Sequence, residues 1–322
     1  MLDILPTIKA AAVQAEPVVL DREATVAKAC QLISESAANG AQLIIFPEMF
    51  IPTYINSAVW GRGLCNFGTP NAKRAWSRLW QNSVEIPSHT TDRLCKAASD
   101  AEAVIVMGLH ERESQSRSLY NTLLFINSDG TILGKHRKLM PTNHERLVHG
   151  TGDGSTLQIY DTPVGRIGGL ICWENWMPLA RFALYSQGEQ IHIAPTDDDD
   201  DDERTQINIR NTAIEGGVFV ISVCMILRKE SFPKDFEFQQ ELAEAGEDIE
   251  TGGSAIIGPD GSYLAGPLWK EEGILYAELD LNRVIEQSQL LDVAGHYARP
   301  DVLSLHLNAT PQNVLEKAAK LT

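Results

Sequence analysis

The sequence has no cysteine pair at metal-ligand spacing. Its five cysteines, Cys30, Cys65, Cys95, Cys172 and Cys224, are odd in number and scattered. That argues against a disulfide framework or a zinc cluster, and for a reducing compartment. Long apolar runs are missing as well: the longest, Val218 to Leu227, is too short to span a bilayer. Positive charge is scarce. Lys and Arg number 27 against 43 Asp and Glu, a formal net charge of −16, so nonspecific binding to nucleic acid or an acidic membrane is not expected. The first residues include Asp3 and no basic segment, so no export signal is expected and the cytoplasm is the expected location. No Ser/Gly/Pro linker divides the chain.

What is present is a chain of 322 residues, 43% hydrophobic and 22% charged, long enough to bury a large core. Ile8 to Gln14 reads as a strand. Arg22 to Ala38 reads as a helix stopped by Asn39-Gly40, and Gln42 to Phe46 as a second, fully buried strand. Such a strand–helix–strand unit implies a parallel pair with a right-handed crossover. Residues 49–87, rich in Pro, Gly and aromatics, read as an irregular insertion forming a pocket wall, a lid or a subunit contact. His89 to Ala101 reads as a helix and Ala103 to His110 as a buried strand. Tyr120 to Asn127 and Thr131 to Lys138 form a hairpin about Ser128-Asp129-Gly130.

The second half repeats the scheme. Leu157 to Asp161 and Gly165 to Cys172 read as a hairpin, Pro178 to Gln187 as a helix and Gln190 to Ala194 as a strand. Glu203 to Glu215 reads as a helix and Gly217 to Cys224 as a strand; a hairpin over Ser254 to Leu264, a strand over Ile274 to Asp280 and a short helix over Leu281 to Gln289 complete it. Two similar passes imply an α/β fold of mixed sheets with helices on the outer faces. Residues 1–290 are expected to form one domain. Residues 291–322 are expected to be a tail, with a weak helix near Gln312 to Lys320, packing on that domain or on a neighbouring subunit.

The stretch Val164 to Trp176 organises the rest. Glycines at 165, 168 and 169 admit close backbone, and Ile167, Leu170 and Ile171 supply apolar surface. Cys172 thus falls at the carboxyl end of a strand, just before a helix N-terminus, where a thiolate is stabilised and an oxyanion finds donors. A small buried core thiol is the competing reading. A hydrolytic cysteine also needs a base and a stabiliser of negative charge. His136, His144, His149 and His192 are conceivable partners. Glu48 and Lys138 each end a predicted buried strand too, although the basic cluster Lys135-His136-Arg137-Lys138 could equally be a solvated edge or a phosphate contact.

Phe46-Pro47-Glu48, Arg137-Lys138-Leu139-Met140-Pro141-Thr142 and Gly169-Leu170-Ile171-Cys172-Trp173-Glu174-Asn175 together resemble the nitrilase superfamily of carbon–nitrogen hydrolases, from Ile8 to about Leu305. The resemblance implies a four-layer α-β-β-α sandwich that assembles into a homodimer or a higher homo-oligomer. It also implies a catalytic triad of Glu48, Lys138 and Cys172, a further glutamate at Glu145, and no metal or organic cofactor. Cys172-Trp173-Glu174-Asn175, Gly150 to Ser155 and Gly295 to Asp301 are similar to the nitrilase branch. The implied reaction takes a small organic nitrile and two waters to the carboxylic acid and ammonia, with some amide where the thiol leaves instead. Tyr54, Trp173 and Pro195 are assigned to substrate contact, and the Trp173 N–H with Lys138 to the oxyanion.

Three departures stand out. His149 occupies a place where nitrilases often carry Trp, Asp197 to Asp202 form a run of acids beyond Pro195-Thr196, and the tail is short. Six adjacent aspartates are expected to make a solvated loop, with a divalent-cation site as a lesser reading. Trp60, Trp76 and Trp80 suggest an adhesive surface. Three competing functions remain: an amidase or carbamoylase of the same superfamily, a non-catalytic assembly or binding protein on this fold, and last a Cys–His thiol hydrolase on some other fold.

Overall fold

The computed structural model describes residues 5–196 and 203–313; the aspartate run and most of the expected final helix lie outside them. The first half of the chain builds strands β1 (Thr7–Gln14), β2 (Leu43–Ile45), β3 (Val104–Arg112), β4 (Leu119–Ile126) and β5 (Ile132–Arg137). The second builds β6 (Tyr160–Thr162), β7 (Gly165–Gly169), β8 (Ile191–Ile193), β9 (Phe219–Ser222), β10 (Ile226–Arg228), β11 (Asp248–Ile257), β12 (Tyr263–Trp269) and β13 (Gly273–Asp280). The helices are α1 (Arg22–Ala38), α2 (Ala58–Cys65), α3 (Pro70–Asn82), α4 (His89–Ala101), α5 (Pro178–Tyr185), α6 (Arg204–Gly216), α7 (Gln239–Ala243) and α8 (Asn282–Ser288).

One sheet has the order β13-β1-β2-β3-β4-β5, and the other β10-β11-β9-β8-β7-β6 with β12 paired to β11. Each is parallel at its centre, through β1-β2-β3 and β7-β8-β9, and antiparallel at its margins. Central strands are buried on both faces, which is why they read as unbroken apolar runs. Alternate residues separate the layers. Ala10, Ala12, Ile45, Val106 and Phe125 of the first sheet meet Ile167, Ile193, Phe219 and Ile221 of the second. Ala11, Val13, Ile44 and Ile105 face the other way, onto Val26, Ala29 and Ile33 of α1 and Leu94 and Ala98 of α4. Ile209 and Ala213 of α6 cover the outer face of the second sheet. The result is a four-layer α-β-β-α sandwich. Among the described residues no helix is long and apolar enough to cross a membrane.

Residues 49–87 are not irregular as expected: they hold α2 and α3. Thr69 caps α3 by accepting from the Ala72 N–H, with Pro70 at its first position. Gly61 and Gly63 conceal α2 in the sequence, and packing explains them. A Cβ on Gly63 would lie 2.3 Å from the Phe238 ring, and one on Gly61 2.3 Å from His144. Trp60 is no surface residue either. It is fully buried, edge-on to Phe236 and Phe238 at 5.3 and 5.7 Å, and Trp76 and Trp80 pack against the same core. Both ends of the segment are stitched to β3, by Ile51 opposite Leu109 and Val84 opposite Glu111.

Candidate active site

Four side chains from separate segments meet at the carboxyl ends of the parallel strands, where ligands gather in sheets of this kind. Glu48 follows β2. Gly108 lets the backbone pass there, since a Cβ on it would sit 2.0 Å from the Pro47 carbonyl oxygen. Lys138 follows β5, pinned by its N–H donating to Asn121 O at 2.8 Å and its carbonyl accepting from the Gly152 N–H at 2.8 Å. Glu145 lies in a 3₁₀ turn, Asn143–Leu147. Lys138 Nζ donates to Glu48 Oε1 and to Glu145 Oε1, both at 2.8 Å. All three side chains are buried.

Cys172 lies beyond the end of β7. The ladder with β8 continues as Leu170 N–H donates to Ile193 O and Cys172 N–H to Pro195 O. The strand does not run to Cys172 as expected: it stops at Gly169, and a 3₁₀ turn, Cys172–Trp176, intervenes before α5. Cys172 has φ of +56°, a left-handed conformation that a residue with a Cβ adopts at a cost of about 1–3 kcal/mol and keeps only when its surroundings impose it. The imposing group is Asn175, whose Nδ2 donates to the carbonyls of Leu170 and Cys172, each at 2.9 Å. With Nδ2 so engaged, Asn175 Oδ1 faces His192 Nε2 at 2.7 Å, and His192 Nδ1 reaches Glu189 at 2.9 Å. Trp173 N–H precedes the first bond within the turn, from Glu174 N–H to Ile171 O.

The two carboxylates differ in environment. Burial lifts Glu48, Lys138 pulls it down and the nearby Glu145 lifts it again, leaving it at about 7. Burial also acts on Glu145, but Lys138 and His149 outweigh it and hold that carboxyl down at about 2. Lys138 is raised well above the usual lysine range: burial opposes its charge, and Cys172, Glu48 and Glu145 together overcome that. The site therefore holds one permanent cation, one permanent anion, a carboxyl able to exchange a proton near neutrality, and a thiol coupled to the cation.

The remaining candidates are dispersed. Tyr54 is buried in the apolar cluster that contains Phe46, Phe50 and Trp60. Trp173 is 59% exposed, and Pro195 meets the site through its carbonyl. Among the four histidines only His149 borders the site, its Nδ1 3.9 Å from Glu145 Oε2 and its Nε2 2.8 Å from His110; His136 binds Glu174, His192 binds Glu189 and Asn175, and His144 packs on Gly61. The basic cluster is no solvated edge, because Lys135 and Arg137 are paired with the buried Glu111. Asn121 escaped the sequence reading. Its Nδ2 donates to Glu48 Oε1 at 2.6 Å and lies 3.5 Å from Glu145 Oε2, and its one sequence signal is a polar pair, Asn121-Thr122, inside an otherwise apolar strand.

The carbon–nitrogen hydrolase family profile matches residues 9–289. The chain is 42% identical over 306 residues to the bifunctional nitrilase/nitrile hydratase NIT4A of Nicotiana tabacum, covering 93% of this chain and 86% of that one. It is 39% identical to nitrilase 2 of Arabidopsis thaliana, covering 98% and 92%. Among solved structures, the carbon–nitrogen hydrolase of Helicobacter pylori G27 superposes with a TM-score of 0.72 at 20% identity, over 92% of this chain and 97% of that one. Nit3 of Saccharomyces cerevisiae, a member of branch 10 of the nitrilase superfamily, superposes at 0.71 with 21% identity, over 91% and 97%. These last two likenesses concern the fold.

Proposed function

Because the chain belongs to the carbon–nitrogen hydrolase family, we propose that it is a nitrilase, taking an organic nitrile and two waters to the carboxylic acid and ammonia. The observation that carries the reading is Lys138 Nζ, 2.8 Å from each of two carboxylates and coupled to the Cys172 sulfur. Cys172 is the nucleophile and Glu48 the base that takes its proton. The thiolate adds to the nitrile carbon, and the nitrogen takes that proton back from Glu48 to give a thioimidate. Water, deprotonated by Glu48, adds next, with the developing charge held by Lys138 and the Trp173 N–H; one such donor contributes about 3 kcal/mol. Ammonia leaves, and a second water hydrolyses the thioester. Glu145 orients Lys138 and remains ionised throughout. Where the tetrahedral species expels the thiol, amide is the product, a branch that the nitrile hydratase activity in the name of the Nicotiana tabacum relative supports.

We further take residues 1–290 as one catalytic domain with residues 291–322 as its tail. Leu305 packs against Leu157, Leu170 and Leu184, and the Gln312 N–H donates to Asp153, which supports that division. We also take the chain to be a cytoplasmic homodimer or higher homo-oligomer, a reading that the apolar surface of the exposed Trp173, Trp176, Met177 and Leu179 supports.

An ammonia-release assay across aliphatic, aromatic and arylacetic nitriles, each beside its own amide, tests the activity. The expected result is turnover of at least one nitrile at a rate well above that of its amide. Amide turnover alone makes the protein an amidase instead. The acid–base assignment predicts the pH dependence. Glu48 takes the thiol proton only as a carboxylate, so kcat/KM should rise with pH through about 7 and level off above it. An acid limb at the ordinary carboxyl value removes Glu48 from the role.

A further inference from the structure

Lys138 belongs to a segment that leaves the first sheet, and Cys172 to one that leaves the second. Most of what lies between the sheets is apolar packing, which is non-directional, and directional bonds that join them elsewhere, such as Tyr160 Oη to Lys135 O and Ser254 N–H to Gln14 Oε1, do not engage the backbone beside Cys172. Glu174 supplies the direction there. Its carboxylate is buried, 1% exposed, and accepts from two backbone N–H groups. Oε1 takes the Leu139 N–H at 2.7 Å, and Oε2 takes the Ile171 N–H at 2.7 Å. Leu139 follows Lys138, and Ile171 precedes Cys172. One rigid planar group therefore holds both segments, each one residue from a reacting side chain. His136, on β5, completes the shell: its Nε2 lies 3.1 Å from Oε2, and its Nδ1 lies 3.2 Å from Thr156 O.

We infer that Glu174 is a positioning residue that sets the distance between the Lys138 ammonium and the Cys172 sulfur by clamping the backbones of both segments. The inference rests on the triad proposed above. A carboxylate is required because each of its oxygens meets a backbone N–H, Leu139 on one side and Ile171 on the other, and an N–H can only donate. A glutamine presents one oxygen and one NH₂, so one backbone donor then confronts another donor and the segments part. An aspartate keeps the charge but is one methylene too short to span both.

The test is the pH profile of Cys172 alkylation by iodoacetamide, with the site of labelling read by mass spectrometry. In folded Glu174→Gln the thiol should become less acidic by about one pH unit, as Lys138 moves off the sulfur. Its kcat should fall by about 10²-fold with little change in KM. Glu174→Asp should show the same direction, and it decides the matter if the glutamine variant gives no folded protein. A folded variant of either kind with the wild-type alkylation profile overturns the inference, because a merely structural role lowers the melting temperature without touching thiol acidity. Failure of the triad is a separate result. It would appear as ammonia release by Cys172→Ala, whatever Glu174 does.

Discussion

Cys172→Ala should fold as the wild type does and release no ammonia from any nitrile. The structure gives the reason for both halves. The strained backbone at residue 172 is held by the Cys172 N–H on Pro195 O and by Asn175 Nδ2 on the carbonyls of Leu170 and Cys172. None of these bonds uses the sulfur. Removing one buried heavy atom costs about 1 kcal/mol, and alanine tolerates the left-handed conformation no worse than cysteine does. The chemistry has no such reserve: without the thiolate no group in the site can form the thioimidate, and Glu48, Lys138 and Glu145 are left as an acid–base cluster with no nucleophile. Intact-mass spectrometry of wild-type enzyme quenched during turnover should find an acyl or imidate adduct on Cys172, absent from the variant. Sustained ammonia release by a folded Cys172→Ala protein would end the nucleophile assignment.

Lys138→Ala and Glu48→Gln should both lose activity, by about 10²–10⁴-fold or more, and should part company in stability. Lys138 is the shared counter-ion of two buried carboxylates. Its removal leaves them facing one another uncompensated, a change that typically costs about 3–5 kcal/mol. Glu48→Gln instead substitutes a neutral group where burial already favours the neutral carboxyl. The glutamine oxygen can still accept from Lys138 Nζ and Asn121 Nδ2, which both bind Glu48 Oε1. Urea unfolding should therefore show a large drop in midpoint for Lys138→Ala and a small one for Glu48→Gln, although the two are equally inactive. Equal stability would mean that the ammonium is not the counter-ion of both carboxylates, and a Glu48→Gln protein turning over at the wild-type rate would remove the base.

The three strand ends were legible because each is written locally. Phe46-Pro47-Glu48 and Ile171-Cys172 place a reactive side chain just after an apolar run, which needs no distant information to be noticed, whereas Lys138 follows the basic Lys135-His136-Arg137 of a half-buried strand and is legible through the Arg137 to Thr142 motif. The same holds for α1 and α4, whose observed bounds, Arg22–Ala38 and His89–Ala101, are those the periodicity and caps predict. Residues 49–87 were misread because α2 carries two glycines whose purpose, room for His144 and Phe238, lies in other segments. Trp60 looked like surface for a similar reason, since its partners Phe236 and Phe238 are far along the chain.

By itself, then, the sequence determined the α/β class, the central strands with the helices α1, α4, α5 and α6 between them, and the places of Glu48, Lys138 and Cys172 in the chain, since periodicity, caps and turn residues act over a few positions. Tertiary structure alone decided how those ends behave as a set. That Glu145 stays ionised while Glu48 titrates near neutrality follows from burial and from a lysine shared between them. That Glu174 joins Leu139 to Ile171 follows from two sheets meeting. Electrostatic and hydrogen-bond energies depend on distances between atoms, and between residues so far apart in the chain only folding sets those distances.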